Sequence, residues 1–155
     1  MRRGLVALAL IVSAATTPAF ADTPNVGTSA RKTGVIYKDP DCQCCIKWVE
    51  HMAKAGFALE ARDVSKSQLM REKVRLGLSL PQASCHTAEI GGYVVEGHVP
   101  ANDVKRLLAE KPDAIGLAVP RMPVGSPGME VGDTKEPYDV LLVKRDGSTE
   151  VFAKH

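Results

Sequence analysis

Gly34-Val35-Ile36-Tyr37-Lys38-Asp39-Pro40-Asp41-Cys42-Gln43-Cys44-Cys45-Ile46-Lys47-Trp48-Val49-Glu50-His51-Met52-Ala53-Lys54-Ala55-Gly56 is the stretch on which the fold turns. Its first five residues read as a short buried strand, and Asp39-Pro40-Asp41 stops that strand with turn chemistry. From Cys45 to Ala55 the apolar positions Cys45, Ile46, Val49, Met52 and Ala53 recur at helical spacing. Glu50 and Lys54 pair one turn apart on the other face, and Gly56 ends the helix. Strand, turn and helix together set Cys42, Cys44 and Cys45 at a helix N-terminus. There, unpaired N–H groups and the positive end of the helix dipole favour thiolate over thiol.

Working outward, Phe57 to Ala61 reads as a second strand, and Ser65 with Gln68 forms a capping box for a helix through Leu69, Met70, Val74 and Leu76 to Gly77. Leu80-Pro81 precedes a strand from Ala83 to Ile90, Gly91-Gly92 makes a tight turn, and Tyr93 to Gly97 returns as a hairpin partner. Pro100 opens a third helix whose apolar face is Ala101, Val104, Leu107 and Leu108, and Pro112 closes it. This α/β order, βαβ then ββα, resembles the thioredoxin-like fold over residues 33–111. Cys42 and Cys45 carry the C-x-x-C spacing between first strand and first helix, where that family keeps its redox pair. Leu80-Pro81 stands where its members carry a cis-proline facing the cysteines. Residues 112–155 exceed that fold and read as a C-terminal extension. It holds apolar Ala114 to Val119, a Pro/Gly/Met loop from Pro120 to Glu130, and a hairpin of Tyr138 to Lys144 with Thr149 to Phe152 about Asp146-Gly147. So many β-forming apolar residues predict that the extension packs back on the domain and contributes to its site.

Composition agrees with one globular domain: 155 residues, 45% hydrophobic, 25% charged and 5% aromatic. At the N-terminus Arg2 and Arg3 precede an apolar run from Leu5 to Ala15, and Ala19-Phe20-Ala21 has the form of a cleavage site, so residues 1–21 read as a signal peptide. Residues 22–32 lack periodicity and read as a flexible linker. Losing 1–21, which hold two of the 20 basic residues and no acid, balances the charge at 18 against 18. A neutral chain without a Lys/Arg block argues against nucleic acid and anionic membrane as partners, and after signal cleavage nothing is left to insert in a bilayer. Export also places the four cysteines where thiols tend to pair. Three of them within four residues, two adjacent, fit a two-bridge framework poorly. Redox chemistry or metal binding is the better reading.

In a plain redox enzyme Cys42 is the exposed attacking thiolate and Cys45 the resolving partner, which leaves Cys44 without a part. Three thiolates in four residues can instead bridge soft metal ions, and soft ligands select Cu(I) over hard cations. Cys85-His86 lies on the strand whose start approaches the cysteine loop, and His98 lies where the hairpin ends, near the same loop. Neighbours on a strand point to opposite faces, so Cys85 and His86 can face one site together only if the strand is irregular there. Met122 and Met129 flank Pro123-Val124-Gly125-Ser126-Pro127-Gly128 in the extension and offer thioethers. Each residue has a competing structural reading: Cys85 as a buried hydrophobe, His98 as a hydrogen-bonding group at the start of the third helix, Trp48 as core. Met52 and Met70 read as core fillers, His51 and His155 as solvated.

Cys42-Gln43-Cys44-Cys45 behind Tyr37-Lys38-Asp39-Pro40-Asp41, then Ser84-Cys85-His86-Thr87, Gly97-His98-Val99-Pro100 and Met122 to Glu130, together resemble the CopG-type periplasmic copper-resistance proteins, marked by a C-x-C-C motif. The resemblance implies a thioredoxin-like domain binding a cysteine-bridged, multinuclear copper cluster and interconverting Cu(I) and Cu(II) in copper detoxification. The expected metal ligands are Cys42, Cys44, Cys45, Cys85, His86, His98, Met122 and Met129, with Cys42 and Cys45 as redox thiols. Copper ions are the expected partner, with a periplasmic efflux system as recipient and a monomer as the working state. Two alternatives stay open: a metal-free thiol-disulfide oxidoreductase, and a copper chaperone that leaves valence unchanged. A structural zinc site fits less well, because Met is a poor zinc ligand.

Overall fold

A computed structural model describes residues 32–155, so the expected signal peptide and all but the last linker residue lie outside the described residues. Three α-helices and seven strands make a mixed α/β fold around one sheet of order β2-β1-β3-β4-β5-β6-β7. In chain order they are β1 (Lys32–Lys38), α1 (Gln43–Lys54), β2 (Phe57–Asp63), α2 (Lys66–Arg75), β3 (His86–Ile90), β4 (Tyr93–Glu96), α3 (Ala101–Glu110), β5 (Gly116–Ala118), β6 (Asp139–Val143) and β7 (Thr149–Lys154). β1 runs parallel to β2 and antiparallel to β3, which pairs antiparallel with β4. The extension adds to the same sheet: β5 lies parallel to β4, then β6 and β7 follow antiparallel. No helix among the described residues is long and apolar enough to cross a membrane.

Period-two alternation separates the two faces. Val95, Leu117 and Leu142 join the main core with Ile36, Ala88 and Ile90. Their chain neighbours Val94, Ala118 and Val143 form a smaller cluster with Leu78. The main core is closed by Trp48 and Met52 of α1 and by Val104 and Leu107 of α3. At about 25 cal/mol per Å² of apolar area, side chains as large as Trp48 and Leu107 are major contributors to holding both helices on the sheet. α2 covers the other face through Leu69 and Lys73, both buried.

Two expectations change. β3 begins at His86 rather than Ala83, because residues 80–82 wind into a short 3-10 turn in which the Ser79 N–H donates to the Gln82 side chain (2.8 Å). Pro81 sits in that turn, exposed, and its peptide is trans, since the described residues hold no cis bond. The cis-proline expected there is thus not formed; Ser84 and Cys85, freed from strand geometry by the later start of β3, share a cleft with Cys42.

Candidate metal centre

The cysteine loop is shaped by its own aspartate. The Asp39 carboxylate accepts the Asp41 N–H (3.0 Å), the Asp39 carbonyl accepts the Cys42 N–H (3.1 Å), and Lys38, paired with Asp63, reaches the Asp39 carbonyl (3.3 Å). Cys42 becomes the N-cap of α1, with no side-chain bond capping the first turn. Cys44 and Cys45 follow in that turn. Cys42 and Cys45 are joined in a disulfide, while Cys44 and Cys85 are free thiols.

Cys85 is the junction. Its sulfur lies 3.9 Å from Cys44 Sγ, 3.3 Å from His86 Nδ1 and 3.0 Å from His98 Nε2. Two overlapping groups result: Cys42, Cys44, Cys45 and Cys85, then Cys85, His86 and His98, each with ligand atoms within 4.8 Å of one another. Because Cys85 precedes the strand, it and His86 meet at one place despite being neighbours. His86, the first residue of β3, points to the α1 face and packs on Trp48 with ring centroids 4.5 Å apart.

His98 is aimed by glycine and by the extension. Gly97 has φ +71°, and a Cβ there would meet Ser84 and the Val119 carbonyl at 2.6 Å, so the chain can turn out of β4 here only without a side chain. The His98 ring then donates from Nδ1 to the Pro127 carbonyl (2.8 Å), which leaves Nε2 with its lone pair toward Cys85. Gly128, φ +89°, lets that loop pass so close to α1 that a Cβ would lie 2.7 Å from the Cys44 carbonyl. Glu130 holds the pass by accepting the Gly128 N–H at 3.0 Å.

Burial sets protonation. Desolvation, then the neighbouring Cys44, pushes the Cys85 thiol up to about 12. Desolvation holds His98 below the ordinary imidazole range, against the Pro127 carbonyl and Glu130, and holds His86 well below it, aided by His98 and Lys73. The resting pair is thus a neutral thiol donating to a neutral imidazole. His86 is fully buried and its Nε2 has no hydrogen-bond partner. An unpaired buried nitrogen costs about 1–3 kcal/mol unless something else satisfies it. With thiols and neutral imidazoles around it, the donor set fits a soft or borderline metal ion.

The methionines divide. Met122, 47% exposed, lines a cleft of about 530 Å³ together with Cys42 and Cys85. Met129 is partly buried in the loop, its N–H bound to the Ser126 carbonyl (2.8 Å) and its carbonyl to the Gly125 N–H (3.0 Å). Met52 is core, but Met70 is not: it is 40% exposed and lines the cleft, because Leu69 and Lys73 take the buried face of α2. Neither remaining histidine is simply solvated. His51 Nε2 accepts the Ala101 N–H at the start of α3 (3.1 Å), and His155 pairs with Asp103 (2.7 Å) while stacking on Tyr138. Trp48 is core, as its large aromatic side chain suggests, yet also a wall of the centre, anchored by Nε1–H to the Val99 carbonyl (2.9 Å).

Sequence reasoning missed the support behind Ser84-Cys85. Glu96, buried, accepts the Ser84 N–H (2.5 Å) and the Thr87 hydroxyl (2.5 Å) and pairs with buried Lys73 (2.5 Å). The signal was present: Lys73 follows Leu69 by four residues on the buried face of α2, and Glu96 interrupts an apolar strand.

Solved structures share this architecture. One described as copper resistance protein CopG, form 2, is 41% identical, covers 80% of this chain and 98% of its own, and has a TM-score of 0.74. The chain belongs to the CopG copper resistance protein family. Form 1 of the CopG structure gives 40% identity, coverage of 81% and 98%, and a TM-score of 0.75. A family model described as a protein of unknown function, DUF411, matches residues 82–129, the span that holds Cys85, His86, His98, Met122 and Met129. A search of curated proteins finds no match.

Proposed function

We propose that this CopG-family chain binds copper at the centre where Cys85 joins the two ligand groups, and exchanges electrons with it in copper resistance. The observation that carries the reading is the meeting of four sulfurs with two neutral imidazoles, one of which has a buried, unpartnered nitrogen. In the reduced protein Cys42, Cys44, Cys45 and Cys85 supply soft, bridging ligands; His86 and His98 supply nitrogen; Met122 and Met129 supply thioethers from the loop that crosses α1. Copper is the substrate, as Cu(I) or Cu(II). When Cu(II) arrives, Cys42 and Cys45 give up two thiol protons and two electrons and close their disulfide, and two Cu(II) become two Cu(I). The strand order β2-β1-β3-β4, with the C-x-x-C pair on the first turn of α1, supports a thioredoxin-like domain at residues 33–111, to which 112–155 adds the loop that orients His98. The leader at residues 1–21 supports export to the periplasm, where a monomer handing copper to an efflux system suits the chemistry.

An anaerobic titration of reduced protein with Cu(II), following Cu(II) by electron paramagnetic resonance and thiols by chemical count, tests this. Loss of both signals in step is expected. Copper bound with no valence change points to a chaperone instead. A second reading, a metal-free disulfide exchanger, draws on the closed Cys42–Cys45 bond at the cleft. It requires disulfide reduction that survives His98→Gln and Cys44→Ser.

A further inference from the structure

The proposed copper chemistry gives a redox part to Cys42 and Cys45 alone. Cys44 and Cys85 remain as free thiols, 41 residues apart in sequence and 3.9 Å apart between sulfurs. Cys44 also lies 3.5 Å from Cys42, but that sulfur is already bonded to Cys45, so Cys85 is the one free thiol within reach. The remaining distance to a bond of about 2.05 Å is of the size that side-chain rotation covers. The movement needed falls to the side chains: the Cys44 backbone is set in the first turn of α1, and Cys85 lies outside the ladder of β3. Both are partly exposed, and the cleft lined by Cys85, Cys42 and Met122 opens beside them.

Building on that copper-redox reading, we infer that Cys44 and Cys85 form a second dithiol couple, so that the centre delivers four electrons rather than two. The step balances for each couple. Two S–H bonds break, one S–S bond forms, two protons pass to solvent and two electrons reduce two Cu(II) to two Cu(I). Fully oxidised protein then holds Cys42–Cys45 and Cys44–Cys85 and has no free thiol. The second bond would tie the first turn of α1 to the segment before β3, where the first lies wholly within α1 and its cap. Closing it removes Cys85 from both ligand groups at once, so oxidation of this couple would also release the metal.

The two kinds of bond separate on a non-reducing tryptic map. Cys42, Cys44 and Cys45 fall on the peptide 39–47 and Cys85 on the peptide 76–105. Reduced full-length protein treated with diamide, with no metal present, is expected to lose all four thiols and to show these peptides joined. Cys44→Ser is expected to abolish the link and leave one thiol, and Cys85→Ser likewise leaves one. With excess Cu(II) under argon and a Cu(I) chelator, wild type is expected to yield four Cu(I) per chain and either variant two. Two residual thiols after diamide, or a link that persists in Cys44→Ser, overturns the second couple. A missing link with two Cu(I) per wild-type chain overturns it while leaving the proposed function intact. A link formed by diamide without any reduction of Cu(II) overturns the copper redox reading and the four-electron count with it.

Discussion

The hairpin of β3 and β4 carries a buried polar cluster on each of its faces. Toward α2, every group is matched: Lys73 donates to Thr87 (2.7 Å) and Glu96 (2.5 Å), Thr87 donates to the second Glu96 oxygen (2.5 Å), and the Ser84 N–H completes the set (2.5 Å). Toward α1, His86 and His98 surround the Cys85 thiol, and His86 keeps a nitrogen with no partner. Lys73, Thr87 and Glu96 on one face and His86 and His98 on the other are all buried, so the difference lies in closure. A closed network holds a backbone segment in place, whereas an open one costs stability unless a ligand completes it. The two are coupled through one peptide: the matched face holds Ser84, and Cys85 next to it faces the open side.

The comparison breaks most sharply at Lys73. Lys73→Met leaves Glu96 buried and uncompensated, and its expected cost is about 3–5 kcal/mol in urea unfolding of the reduced, metal-free protein. The opposite face should answer with the opposite sign. His86→Leu removes an unmatched polar group, so metal-free stability is expected to hold or to rise by up to about 2 kcal/mol, while Cu(I) affinity falls. A loss as large as that of Lys73→Met would mean that His86 is a structural residue and that the two faces do not differ.

How far the sequence reveals this depends on the range of the interaction. The strand, turn and helix around the C-x-C-C run are local, and turn chemistry and helical spacing place them well: α1 begins at Gln43, with Cys42 as its cap. The Ser65–Gln68 capping box is present as read. What stays hidden involves distant partners or a shift of register. Nothing near Pro81 indicates that Ser79 and Gln82 wind a turn and delay β3, yet that delay lets Cys85 and His86 meet. His51 reads as solvated because its partner, the first N–H of α3, lies 50 residues away. Met70 reads as internal when the buried stripe of α2 is drawn through it rather than through Leu69 and Lys73. In each case a local pattern is overruled by a contact made only after the sheet assembles.

The smallest effect distinguishes thiol from imidazole within the open cluster. A ligand that must lose a proton makes metal affinity rise with pH, by about tenfold per unit for each proton released. Cys85, pushed up to about 12, stays protonated across pH 6–8 until metal displaces its proton, so it should contribute one full order per unit throughout that window. His86 and His98 are held below the ordinary imidazole value of 6.5, so at pH 7–8 they are mostly neutral and should contribute little to the slope. Cu(I) competition against a chelator of known pH behaviour reads this directly. Cys85→Ser is expected to lower the slope of log affinity against pH by one, whereas His98→Gln should lower the affinity about 10- to 100-fold at every pH and leave the slope alone. If the two variants shift the slope equally, proton release is shared between sulfur and nitrogen. The Pro127 carbonyl would then not be fixing the His98 tautomer as its 2.8 Å bond indicates.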